Sequence, residues 1–406
     1  MLNRMIGSIF ILIGSAIGAG MLALPLVGAS AGFVHSTILL ILIWLLMTLT
    51  ALLILETCLA FEPNHNNFST MARTTLGRPG QIITWFSFLL LLYATTAAYI
   101  DGSSSLIDEL FTRIFHIISV PWLNAVGYTV LFGGAVFLGT RTVDYCVRLL
   151  LSAKGILLFV TLLILIPHVD INKLRLQTGT LKYVWLAAPI FLNAFGLHFV
   201  IPSITTYCER NTKVLTKVII ISTTIPLFVY IIWLLVTFGI IPLAGNLSFT
   251  TIHQQHTSVG GLIYTLGMLS YNKYILFFVN SFSDIAMTTS FLGVALGLFD
   301  FLADGLNRSN SYFGRFQTAL ITFLPPLLFV LFYQHGFILA LEYSAFFAVI
   351  LEVFLPAFMV YKLRKSTFLH SPYRVPCNSR LLLFFLSLIG FLLIAIIITD
   401  RLHLSI

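Results

Sequence analysis

Gly14-Ser15-Ala16-Ile17-Gly18-Ala19-Gly20-Met21-Leu22-Ala23-Leu24-Pro25 lies inside the first apolar run of the chain. Its three glycines within seven residues each weaken a continuous helix by roughly 1 kcal/mol relative to alanine. The helix is therefore expected to be interrupted there. A second apolar span carries Pro189, then Asn193-Ala194-Phe195-Gly196-Leu197-His198, then Pro202, and reads as a second interruption. Gly and Pro are common in membrane helices, where glycines also permit close packing, so either break alone says little. Matched breaks in corresponding positions of two halves point to a midplane substrate site between inverted repeats.

The surroundings of both breaks are strongly apolar. Hydrophobic residues make up 59% of the 406 and charged residues 9%, where soluble domains carry about 25% charged residues. The solvent of this chain is a lipid bilayer. A hydrocarbon core of roughly 30 Å takes about 20 apolar residues per crossing, and such runs predict helices over 5–31, 34–61, 80–101, 123–139, 144–167, 180–208, 213–242, 274–303, 316–333, 336–361 and 381–399. The expected fold is an all-α integral membrane protein of eleven spans, 1–406 forming one transmembrane domain. Residues 5–167 form a first five-helix repeat with helix one broken, 180–361 a second with helix six broken, and 381–399 an additional helix. The first run is too long for the apolar region of a signal peptide, so the N-terminus is expected to be retained.

Lys and Arg mark the cytoplasmic side of a membrane protein. Arg4, Arg73, Arg78, Arg141, Arg148, Arg210, Lys213, Lys217, Arg308, Arg315, Lys362, Arg364, Lys365, Arg374 and Arg380 fall on one side; Arg113, Lys173, Arg175, Lys182, Lys273 and Arg401 fall on the other. The expected N-terminus is cytoplasmic and the C-terminus periplasmic. This bias also accounts for the formal charge of +8 without nucleic acid as a partner. Cys58, Cys146, Cys208 and Cys377 then lie near the cytoplasmic face, where a reducing compartment suits unpaired thiols. No metal, cofactor or catalytic motif is visible, and an enzyme is not expected. Residues 101–121 read as a short amphipathic surface helix or a plain loop, and 244–273 as a segment over the outer mouth or a plain loop.

Backbone N–H and C=O groups freed by unwinding persist in hydrocarbon only where they line a polar cavity. A zwitterionic amino acid satisfies them. Its carboxylate suits the half-helix N-terminus at Gly18, Ala19 and Gly20, where the backbone dipole is positive. Its ammonium suits freed carbonyls of Ala16, Asn193 and Ala194, with Tyr93 preferred over Tyr99 as a pocket aromatic because it lies deeper. Among intramembrane ionisable groups, each costly and so a functional candidate, Lys154 stands ten residues into its helix, roughly 15 Å deep. Gly14 and the Thr289-Ser290 pair reach similar depth, so the three are expected to meet, with the lysine ammonium as a proton-coupling group. His198 and Asp284 are further proton-carrying candidates, each with a purely structural alternative. Glu56 near a helix end reads as snorkelling, paired or functional, while Glu342 and Glu352 stay outside the core site.

Asn3-Arg4 followed by Gly7-Ser-Ile-Phe10, and Ile17-Gly-Ala-Gly-Met-Leu-Ala-Leu-Pro-Leu26, resemble the opening of the bacterial aromatic amino-acid permeases. The runs Ser290–Asp304, Arg308-Ser-Asn310 and Gln317–Pro326 are similar to tyrosine-transporting members of that family. Tyr93–Tyr99, Ser152-Ala153-Lys154, Phe195–His198 and Pro202-Ser203 also look like family segments. The resemblance runs from end to end. It implies a LeuT-type fold of eleven helices, with proton symport importing an aromatic amino acid, tyrosine foremost, across the bacterial inner membrane. It implies no cofactor beyond the proton gradient. A channel would need a repeated filter or rings of pore charges, and neither is visible.

Overall fold

In hydrocarbon every backbone polar group must be satisfied within its own segment, so long apolar runs become helices. The computed structural model describes residues 2–62, 67–114, 116, 119–176, 181–254, 259–270, 273–306, 308, 311–333 and 336–403. Among them all regular structure is helical, with no strand. The helices are α1 (Leu2–Ala16), α2 (Ala19–Gly28), α3 (Gly32–Ala60), α4 (Phe68–Glu109), α5 (Pro121–Leu138), α6 (Thr140–Leu165), α7 (Ile171–Leu176), α8 (Leu181–Asn193) and α9 (Ile201–Tyr207). They continue as α10 (Thr212–Ile240), α11 (Phe249–Gln254), α12 (Val259–Leu269), α13 (Lys273–Gly305), α14 (Tyr312–Phe332), α15 (Phe337–Ala348), α16 (Leu355–Leu363) and α17 (Ser379–His403). A π-helical turn, Val349–Phe354, joins α15 to α16.

Ten helical segments among the described residues are long and apolar enough to cross a membrane. One of them, Ala19–Ala60, has 42 residues, roughly 63 Å of helix, about twice a hydrocarbon core. It is not continuous: Ala29–Ala31 forms a 3-10 turn, and Gly32 sits at φ 78°, a conformation open to glycine. The first expected crossing, 5–31, is thus divided between α1, too short to count alone, and α2. Leu131, Leu149, Phe332 and Phe384 stand exposed on the outside of the bundle, an apolar exterior that only lipid solvates well.

The third expected helix, 80–101, grows at both ends. α4 starts at Phe68, capped by Asn67 Oδ1 accepting from Thr70 N at 2.8 Å, kinks at Gly77 (φ 78°) ahead of Pro79, and runs on to Glu109. Residues 101–109 are therefore no separate surface segment. Asp101, Ser103, Ser104 and Leu106 are buried, and Ser104 Oγ donates to Pro121 O at 3.0 Å. The stretch 244–273 is likewise more than a loop, because its apolar residues Val259, Leu262, Ile263 and Leu266 are buried in α12. Gly260 allows this packing against α4: its N donates to Ser105 Oγ at 2.8 Å, and a Cβ there would lie 2.5 Å from Ser105 O. Residues 115, 117 and 118 of the first stretch and 255–258 and 271–272 of the second lie outside the described residues, as do 309 and 310 of the Arg308–Asn310 run.

The end of the bundle near Arg4 is tied by arginines. Glu56 is buried and does not snorkel: Arg364 Nε and Nη2 donate to its two oxygens at 2.7 Å each, and Val375 N donates to Oε2 at 2.8 Å. Arg364 also donates to Val375 O and Cys377 O at 2.8 Å, so α3, the end of α16 and the segment leading to α17 share one network. Losing either ion would leave an uncompensated buried charge. Arg210 donates to Leu59 O and Phe61 O at 2.6 Å, closing the end of α3, and Arg4 pairs with Glu209.

Candidate functional site

Both expected interruptions are present. α1 ends at Ala16, Gly18 is extended (φ −152°, ψ −144°), and α2 restarts at Ala19. The second span ends its first half at Asn193 and passes through Ala194–Leu197. It then resumes as a 3-10 turn, His198–Val200, and as α9, with Pro202 in its first turn. The first N–H groups of α2 have no carbonyl partner within their own helix, and the ends of α1 and α8 have spare carbonyls for the same reason.

The two breaks touch. A Cβ on Gly20 would lie 2.7 Å from Ala194 Cα and 3.0 Å from Ala194 Cβ, so only glycine lets the backbones approach this closely. Tyr230 of α10 ties them together: its hydroxyl lies 2.8 Å from Ala16 O and 2.8 Å from Ala194 O, donating to these freed carbonyls. The carbonyls of Ala16 and Ala194, expected to face an ammonium, thus already have a hydroxyl beside them. Nothing in the sequence marks Tyr230, one of 15 tyrosines in a plain apolar helix, as their partner. Phe195, which follows Ala194 in the break and was a substrate-binding candidate, is fully buried with its ring edge-on to Tyr230 at 5.2 Å. Gly20, Asn193 and Gly196 keep partial exposure, whereas Ala16, Gly18, Ala19 and Ala194 are buried. Asn193 Oδ1 accepts from Ser344 Oγ at 3.3 Å, and Ser344 lies 2.7 Å from Thr95 Oγ1.

Tyr230→Phe leaves two buried carbonyls without their donor, so it is expected to cost about 1–3 kcal/mol of folding stability. A lower Tm of the purified variant measures this; an unchanged Tm would show the bridge to be incidental.

The two tyrosines of α4 have different partners. The Tyr93 hydroxyl donates to Ile321 O of α14 at 2.8 Å. The buried Tyr99 lies at the first break, its hydroxyl 3.4 Å from where a Gly18 Cβ would stand, with Ser290 Oγ at 2.5 Å from the same point. Residues six apart on a helix face different ways, and facing rather than depth decides which tyrosine reaches the break.

The Lys154 cluster forms as the spacing predicts. The buried Lys154 Nζ donates to Gly14 O of α1 at 3.4 Å and to Thr289 Oγ1 of α13 at 3.4 Å, while Thr289 donates to Ile285 O at 2.8 Å. One ammonium therefore links α6 to the end of α1 and to α13, and Ser290 next to Thr289 reaches the other side of the break. Asp284 is not part of this cluster. It accepts from Asn280 Nδ2 at 3.0 Å on its own helix. His198 is fully buried, its Nε2 2.8 Å from Thr50 Oγ1. Glu352, set outside the site by sequence reasoning, has Oε1 3.6 Å from His198 Nδ1. Only its position in an apolar span marked it.

Residues 1–397 match the model of the tryptophan/tyrosine permease family. The chain is 36% identical over 375 residues to the tyrosine-specific transport system 1 of Haemophilus influenzae, covering 92% of each chain. It is 30% identical over 396 residues to a tyrosine permease of Enterobacter agglomerans, covering 96% of this chain and 94% of the relative. It is also 32% identical over 366 residues to a tryptophan-specific transport protein of Shigella flexneri, covering 89% and 87%. These relatives are transport proteins rather than enzymes. With its helix breaks facing one another inside a multi-pass membrane bundle, the chain belongs to the tryptophan/tyrosine permease family.

Proposed function

We propose that this permease imports an aromatic amino acid, tyrosine foremost, by proton symport across the bacterial inner membrane. The observation that carries the reading is the meeting of two unwound segments at Gly20 and Ala194 under the Tyr230 hydroxyl. The substrate carboxylate takes the N-terminus of α2 at Gly18–Gly20, where free N–H groups and the helix dipole favour an anion. With Ala16 and Ala194 carbonyls held by Tyr230, the ammonium turns to the partly exposed Asn193. Tyr99 and Ser290 flank the break on its other side. The fold is read as LeuT-type, two inverted five-helix repeats with the N-terminus cytoplasmic and the C-terminus periplasmic.

Lys154 is read as the coupling group. Charged, it holds α1, α6 and α13 together in the loaded, outward-facing state; as the inner side opens, its proton leaves to the cytoplasm. Its ammonium fills the place a sodium ion would need, so sodium does not drive uptake. Competition against labelled tyrosine in proteoliposomes tests the substrate class. Tyrosine, tryptophan and phenylalanine should compete, tyrosine best, and competition by leucine or alanine equal to that of tyrosine would overturn it.

A further inference from the structure

Glu352 is a buried carboxylate on the π turn Val349–Phe354, and its one ion-pair contact among the described residues is the His198 imidazole. At 3.6 Å the Nδ1 to Oε1 separation exceeds a hydrogen bond, and Nδ1 and Oε2 both lack a hydrogen-bond partner. The other ring nitrogen, Nε2, lies 2.8 Å from Thr50 Oγ1, whose hydroxyl donates to Met47 O at 3.2 Å. In that arrangement Nε2 donates to Thr50, leaving the Nδ1 lone pair aimed at a carboxylate oxygen. Two acceptors then face each other across a gap that one proton closes. The carboxylate also touches the second break: a Cβ on Gly196 would lie 3.4 Å from Oε1. π turns are rare and recur at functional sites, and this one aims Glu352 at the unwound segment.

We propose that Glu352 and His198 together bind a transported proton at the second break, a site separate from Lys154 at the first. The proposal rests on the proton-symport reading above. Empty, the pair is a carboxylate beside a neutral ring. A proton arriving from the outer water binds between Nδ1 and Oε1, makes the pair neutral, and draws the π turn onto Gly196. It leaves to the cytoplasm when the break reopens.

Other titratable groups on the surrounding elements have contacts of their own. Glu56 of α3 is bound to Arg364, Tyr99 of α4 lies at Gly18, and Tyr361 of α16 accepts from Lys365. Among the described residues, the one ion-pair contact of Glu352 and of His198 is the one between them.

The test compares wild type with Glu352→Gln and His198→Gln in proteoliposomes, with labelled tyrosine as probe. In pH-difference infrared spectra the wild type should show a buried carboxylic C=O band, absent from Glu352→Gln and displaced in His198→Gln. Glu352→Gln should still bind tyrosine, but binding should lose the part of its pH dependence that belongs to this pair, and gradient-driven accumulation should fall well below that of wild type. Should Glu352→Gln fail to fold, His198→Gln decides by the same accumulation measurement. A full gradient response in the folded variant, with the wild-type infrared band retained, would overturn this inference alone. Wild-type uptake indifferent to the gradient would overturn the symport reading and this inference with it.

Discussion

Gly20→Val is expected to abolish substrate binding while leaving the protein folded and inserted. The new Cβ would come 2.7 Å from Ala194 Cα, a backbone atom that no rotamer change can move aside. The two breaks would have to part, and the branched side chain adds bulk with little freedom to turn away. Overpacking of a well-packed site costs about 1–3 kcal/mol or more, and here the strain falls on the segments proposed to hold the amino acid. Gly18→Val should be milder, because the atom it meets at 2.5 Å is the Ser290 hydroxyl, the end of a side chain that can rotate. Equilibrium binding of labelled tyrosine to purified, monodisperse variants measures both. Undiminished binding by Gly20→Val would remove the helix-break site.

Lys154→Ala is expected to abolish accumulation driven by a proton gradient while keeping substrate binding. Its Nζ reaches only Gly14 O and Thr289 Oγ1, each at 3.4 Å, and neither is assigned to the amino acid. The truncation removes both the proton and the link between α1, α6 and α13. Counterflow, the exchange of labelled for unlabelled tyrosine, separates the two consequences: it should persist when uphill uptake is gone. Accumulation by the Ala variant equal to that of wild type would make Lys154 a structural charge.

The sequence shows the helix breaks because glycine and proline act locally, through propensity and missing donors. Counting residues along apolar spans also brings Lys154, Gly14 and Thr289 to a common depth, since helical rise is constant. What depends on which face a helix turns inward is not readable that way. Tyr99 reaches the first break and Tyr93 does not, though both lie on α4, and Tyr230 looks like any aromatic in an apolar helix. The same limit hides Glu352, whose direction is set by a π turn with no compositional mark. The close packing of 101–109 and 259–269 is hidden for another reason. Their serines and glycines read as loop residues, but in the structure they let α4 and α12 pack closely, as Ser105 and Gly260 do.

The central claim is that a proton gradient drives an aromatic amino acid through a site between the two breaks. Its most direct test is uptake of labelled tyrosine into sodium-free proteoliposomes that are alkaline inside and acidic outside. Uphill accumulation that collapses on adding a protonophore, and that an imposed sodium gradient cannot restore, is the predicted result. Accumulation that requires sodium, or that is unchanged when the proton gradient is dissipated, would contradict it.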